Sequence, residues 1–132
     1  FIRSLPLAAK TATGIFISHS LPSPRELHRF DATVFQRTVS EQDLVEPGSG
    51  YLLVWGRYQT AEELEALRMM LGCDFFICGH QPQEQGYDVL HDRLIILASD
   101  HNHGTFLPID LSRRPTSIAD LTARIRPFAA VA

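Results

Sequence analysis

Residues 51–78 read YLLVWGRYQTAEELEALRMMLGCDFFIC, and the reading of this stretch decides the fold. Tyr51–Trp55 is a continuous apolar run with aromatic and β-branched residues, the pattern of a buried strand. Thr60 precedes Glu63 by three residues, the spacing at which a Thr hydroxyl caps the first turn of a helix. Leu64, Leu67 and Leu71 follow at helical spacing, and Gly72 stands where a helix stop belongs. Asp74–Cys78 is a second apolar run. The stretch therefore predicts a β-α-β unit whose two strands lie parallel.

Upstream, Leu5–Lys10 and Ile15–His19 read as strands joined by a hairpin-like turn, with Gly14 free to take φ > 0. Ser23-Pro24-Arg25-Glu26 opens a helix of a turn or two. Ser40-Glu41-Gln42-Asp43 opens another, stopped by Pro47-Gly48. Downstream, Leu94–Ala98 and Thr105–Ile109 read as antiparallel strands, and Ser117 with Asp120 opens a last helix that ends at Pro127. The sum is a mixed β-sheet with flanking helices, in the α/β class at its α+β boundary.

Composition bounds what such a chain can do. Its 132 residues, 45% hydrophobic and 20% charged, suit a single domain with a real core. Twelve Lys and Arg against fifteen Asp and Glu give a net charge of −3, which offers no basic footprint for nucleic acid or an anionic membrane. The apolar runs are too short to span a bilayer. Cys73 and Cys78, four residues apart with no second pair, match neither a zinc ribbon nor a disulfide framework. They read as buried thiols in a reducing, cytoplasmic setting.

Three apolar runs each end in a polar group: Ile15-Phe16-Ile17 in Ser18-His19-Ser20, Leu53-Val54-Trp55 in Gly56-Arg57-Tyr58, and Phe76-Ile77-Cys78 in Gly79-His80-Gln81. Ligands of open α/β sheets bind outside the carboxyl ends of strands. Two imidazoles and a guanidinium converging there suit a metal-assisted site for an anionic substrate, because imidazole ligates divalent metals and arginine's fork matches phosphate oxygens. By pattern alone, hydrogen-bonded loop residues fit equally well. His101 and His103, two apart beside Asp100, either face the site or are solvated loop residues. His28 and His91 carry no supporting context.

Ile15–Pro24 (IFISHSLPSP) resembles the "I-F-C-x-H-G-G-L-S-P" segment of the Ser/Thr protein phosphatases, in the calcineurin-like metallophosphoesterase superfamily. Asp74–Gln81 is similar to that family's "D-x-I-x-R-A/G-H-Q", Gln85–Asp88 follows at the spacing of "E-D-G-Y-E", and Ser99–Phe106 takes the place of "A-P-N-Y-x-G-x-F". Leu5–Ala9 and Trp55-Gly56 match its "L-P-L/I-A" and "W-G", so the order agrees from about residue 5 to residue 111. The resemblance implies that His19 and His80 ligate one metal of a dinuclear centre (Mn, Fe or Zn) and that Arg57 contacts phosphate; Asp100, His101 and His103, in the stretch that replaces the family's "P-N-Y-x", are candidates for the substrate groove. Pro82 stands where the superfamily's other branch has a second histidine.

The family's upstream strings, "G-D-x-H-G", "G-D-x-x-D-R-G" and "G-N-H-E", occur nowhere in residues 1–132. The resemblance thus implies the C-terminal half of a two-sheet αββα phosphoesterase, inactive alone, with an N-terminal half carrying the aspartates upstream of Phe1. Its inner sheet face would be bare, which predicts association with that half or with a second copy. The parent's partner would be a phosphorylated protein or small phosphoester. Two other readings stay open: a non-catalytic protein-binding module of the same fold, and a small α/β domain holding one structural zinc.

Overall fold

The computed structural model describes residues 4–131. A five-stranded mixed sheet organises them: β1 (Ala8–Lys10), β2 (Ile15–Ser18), β3 (Phe75–Cys78), β4 (Tyr87–Leu90) and β5 (Leu94–Leu97), in the order β1-β2-β3-β5-β4. β2, β3 and β5 run parallel, and the two edge strands pair antiparallel to their neighbours. Between β2 and β3 lie α1 (Ser49–Trp55) and α2 (Ala61–Leu71).

Period-two alternation divides the central strands between two cores. Phe16, Phe76, Cys78, Leu94 and Ile96 pack with Leu52 and Leu53 of α1 and Leu64, Leu67 and Leu71 of α2. Ile15, Phe75, Ile77 and Ile95 pack with Leu121 of α3 (Ile118–Thr122) and with partly buried Leu107, Ile109, Ile118 and Ile125. Both faces of the sheet are therefore covered by the chain's own elements, the second of them by its C-terminal segment. Both β3 residues on that side, Phe75 and Ile77, are less than a tenth exposed.

The helix over 61–71 follows its sequence signals closely. The Thr60 hydroxyl accepts the Glu63 amide at 3.2 Å, the three leucines are buried, and Gly72 caps the end at φ 61°. Thr60→Ala is expected to cost about 1 kcal/mol, read as a lower urea midpoint with an unchanged m-value.

Three expectations are corrected. Tyr51–Trp55 belongs to a helix and not to a strand, so the β-α-β unit is β2-α1-α2-β3. A short apolar run has no periodicity of its own, and here Leu52 and Leu53, adjacent in sequence, are both buried on the helix's inner side. Secondly, Thr105–Ile109 does not pair with Leu94–Leu97, because β3 and β4 already occupy both flanks of β5. Only Thr105–Phe106 (β6) is extended, and it pairs with Arg126–Pro127 (β7) where the last helix had been expected to continue. Thirdly, Ser23 caps nothing: its hydroxyl accepts the Arg57 amide, and the short 3₁₀ turn begins later, at Leu27.

The edge strand β4 carries a weak signal, its first two residues exposed and its last two half-buried. It turns into β5 through His91 and Asp92, both at positive φ (52° and 53°), as a type I′ hairpin requires. The capping box of Ser40 and Asp43 forms as expected. There the Arg37 guanidinium grips both Asp43 oxygens at 2.6 and 2.7 Å and, with Ser40, holds that carboxyl well below the usual range. No helix among the described residues is long and apolar enough to cross a membrane.

Candidate functional site

β2 and β3 are parallel neighbours, so the residues that follow them emerge side by side. His19 and His80 are those residues. The pairing continues one step past the strands, where the Gly79 amide donates to the His19 carbonyl at 3.1 Å. The two rings then meet directly, His19 Nε2 lying 3.0 Å from His80 Nδ1, so one nitrogen carries the proton and the other accepts it.

His80 sits in a sparsely populated conformation, at φ 67°. The Gln81 amide donates to the Gly79 carbonyl at 2.8 Å, which places His80 at the apex of a three-residue turn of the strained kind. Such strain persists only where the surroundings over-determine it, and it clusters at ligand sites. Trp55 is part of those surroundings: its ring stands edge-on to His80 with centroids 5.7 Å apart. The Nε2 atom of His80 is buried with no hydrogen-bond partner. Burial, then the nearby Arg57 charge, then His19 lower the His80 pKa, which favours the neutral imidazole, the form that binds metals.

Arg57 reaches this end of the sheet because the chain after β2 is fastened to the end of α1. The Ser20 amide donates to the Leu53 carbonyl at 2.7 Å, and the Ser20 hydroxyl donates to the Gly56 carbonyl. Gln59, buried, donates its side-chain amide to the Leu21 and Pro22 carbonyls at 2.8 and 3.2 Å. The Arg57 amide donates to Ser23 Oγ at 2.9 Å. His19, His80 and Arg57 thus share one end of the fold.

The groove candidates divide. Asp100 borders a cleft of about 450 Å³ together with His80, Gln81 and Leu97. His101 and His103 instead tie their loop to the preceding one. His101 Nδ1 accepts the His103 amide at 3.1 Å, so its Nε2 carries the proton given to the Gln83 carbonyl at 2.8 Å. His103 Nδ1 lies 3.1 Å from the Glu84 carbonyl, to which it donates. Both nitrogens of His101 are engaged.

A divalent cation fits part of this arrangement. The 3.0 Å separation of His19 Nε2 and His80 Nδ1 is a hydrogen-bond distance, and once the shared proton has left it falls at the short, octahedral end of the separations taken by two nitrogens each ~2.1 Å from one cation. Among the described residues, however, no group of three or more His, Cys, Asp or Glu side chains is placed to hold a metal. The two cysteines do not help: burial pushes the Cys73 thiol up to about 11 and the Cys78 thiol up to about 12, leaving both protonated. Both are free.

Sequence reasoning passed over Trp55 as the wall behind His80, because the run containing it was read as a strand. It also passed over Arg25 and Tyr58, which border a second cleft with Arg57. An arginine after a helix-opening Ser-Pro carries no signal of its own, but the adjacency of Arg57 and Tyr58 does. No protein-family model matches the chain, and no curated protein matches it.

Proposed function

We propose that this chain is the C-terminal half of a calcineurin-like metallophosphoesterase of the Ser/Thr phosphatase type. His19 and His80 are two nitrogen ligands of its metal centre, and Arg57 contacts the substrate phosphate. The contact between His19 Nε2 and His80 Nδ1 at the ends of adjacent parallel strands carries the reading. When bound, the cations of such a centre acidify water and offset phosphate charge. This chain's own contribution is to favour the neutral form of one imidazole, to bring the two ring nitrogens within 3.0 Å of each other, and to place a guanidinium beside them. The carboxylates a dinuclear centre needs would come from an N-terminal half, which would complete an αββα sandwich.

A second reading draws on two observations. Both faces of the five-stranded sheet are covered by the chain's own elements, and no group of three or more metal-ligating side chains lies among the described residues. These favour a self-standing, non-catalytic module that keeps the strand-end histidines.

Manganese tests the ligand assignment, and hydrolysis by the longer protein separates the two readings. In the chain labelled at histidine, Mn²⁺ is expected to broaden the His19 and His80 imidazole signals first, leaving His28 and His91 sharp, and His80→Ala is expected to abolish the effect at His19. Uniform broadening, or none at millimolar Mn²⁺, overturns the ligand assignment. In the longer protein that carries this chain, Mn²⁺-dependent hydrolysis of an aryl phosphate that survives His80→Ala undiminished would do the same.

A further inference from the structure

We propose that the cleft beside Arg57 is a nucleotide subsite, in which Arg25 and Arg57 hold a phosphate and Tyr58 stacks on the base. The inference deepens the phosphoesterase reading by naming the substrate class, and it rests on that reading only for which bond is broken.

The cleft has a volume of about 520 Å³ and is bordered by Ser23, Pro24, Arg25, Glu26, Arg57 and Tyr58. That volume lies within the usual range of small-molecule sites. Five other arginines, Arg37, Arg68, Arg93, Arg113 and Arg114, are committed to ion pairs. Among the described residues, the guanidiniums of Arg25 and Arg57 have no hydrogen-bond or ion-pair partner. Two unpaired forks at one cleft match the oxygens of a phosphate. Glu26 leaves the cleft with a net positive charge and offers an acceptor for sugar hydroxyls.

Tyr58 decides the class of ester. Its side chain is 76% exposed and its backbone is held at φ 61°, a conformation that disfavours a bulky residue. Core packing cannot explain the ring, since it buries so little. Next to Arg57 in sequence and bordering the same cleft, its exposed ring is available to cover a planar group carried by a phosphate ester bound there. A phosphoserine peptide free of aromatic residues carries no planar group, whereas a nucleotide carries its base one sugar away from the phosphate, and stacking on aromatic side chains is how bases are commonly held.

Calorimetric titration of the intact chain at low salt tests this with AMP, inorganic phosphate and a phosphoserine peptide free of aromatic residues. AMP is expected to bind at least tenfold more tightly than either of the others. Tyr58→Ala should erase that preference, weakening AMP about tenfold and phosphate less than twofold, while Tyr58→Phe should retain it. Arg25→Gln should weaken AMP and phosphate alike. Tyr58 is exposed, so its replacement leaves the core untouched. Equal binding of AMP and phosphate, tighter binding of the peptide, or an AMP preference that survives Tyr58→Ala overturns the proposal. The manganese experiment keeps the two ideas apart. Selective broadening without an AMP preference leaves the metal reading standing and removes the nucleotide subsite. An AMP preference without broadening does the reverse.

Discussion

Replacing Gly56 by alanine is expected to destabilise the chain by about 3 kcal/mol and to disperse the candidate site along with the fold. The reason is space, not backbone freedom. Gly56 has an ordinary extended conformation, φ −67° and ψ 149°, that any residue adopts. A Cβ there would overlap the Leu21 carbonyl oxygen and press on the Pro22 backbone. Those atoms belong to the loop after β2 and cannot swing aside as a side-chain tip could. Moving them breaks the bonds from Ser20 to the Gly56 carbonyl and from Gln59 to Leu21 and Pro22, which place Arg57 beside the histidines. Urea unfolding would show the lost stability, and the His19 and His80 imidazole shifts would show the lost geometry. Gly79→Ala is the control. It neighbours His80, yet the nearest atom to a Cβ there is the Leu97 carbonyl oxygen at 3.7 Å, an ordinary contact. It should cost less than about 1 kcal/mol. If the two variants behave alike, close packing at Gly56 is not what holds the site.

That contrast also shows what the chain's letters could and could not disclose. The strand-end positions of His19 and His80 were legible, because an apolar run followed by a polar residue marks both the strand and its exit. That the two strands are adjacent was not: β2 was expected to pair with β1, and the parallel partner of β3 was sought in Tyr51–Trp55. The helix α2 was legible at both ends, since Thr60 and Gly72 act through the backbone within one turn of themselves. Helix α1 was not, because Leu52 and Leu53 are buried by the sheet and the loop after β2, and only tertiary contact distinguishes their helix from a strand. His101 and His103 illustrate the same limit. Their spacing was visible, but the carbonyls of Gln83 and Glu84 that engage them lie in a loop whose path depends on β4, the strand with the weakest pattern. The motif order that resembles a phosphatase is thus a statement about local strings. The juxtaposition of His19, His80 and Arg57 is a statement about the fold, and the two come from different parts of the physics.

Glu63→Gln is expected to stabilise the chain above neutral pH by about 2 kcal/mol, and the gain should vanish in acid. Glu63 lies in the first turn of α2 with its side chain buried, 4% exposed, and neither carboxylate oxygen has a hydrogen-bond partner. Burial raises its pKa from 4.5 to about 7, and the nearby Thr60 amide, short of hydrogen-bond geometry, opposes this only in part. The sign follows from proton counting. Between about pH 4.5 and 7 the folded chain keeps a proton that the unfolded chain has released, so stability falls as pH rises through that window. Below it both states are protonated and the penalty is absent; above it the folded chain carries a buried, unpartnered charge in full. The glutamine variant keeps the shape and never ionises, so its advantage should grow across the window and level off beyond it. Other groups act on the same profile without confusing the comparison. His80, with its pKa lowered, makes stability rise with pH below its ordinary value, but it does so equally in both proteins. Asp31, Asp110 and Asp120 have pKa values lowered by hydrogen bonds from Thr33, Ser112 and Thr116, and they act only below the usual carboxylate range. Thermal or urea unfolding from pH 4 to 9, plotted as variant minus parent, isolates the Glu63 contribution. A difference that is flat across that range would mean that Glu63 ionises freely in the folded chain and that the burial seen around it does not govern its charge.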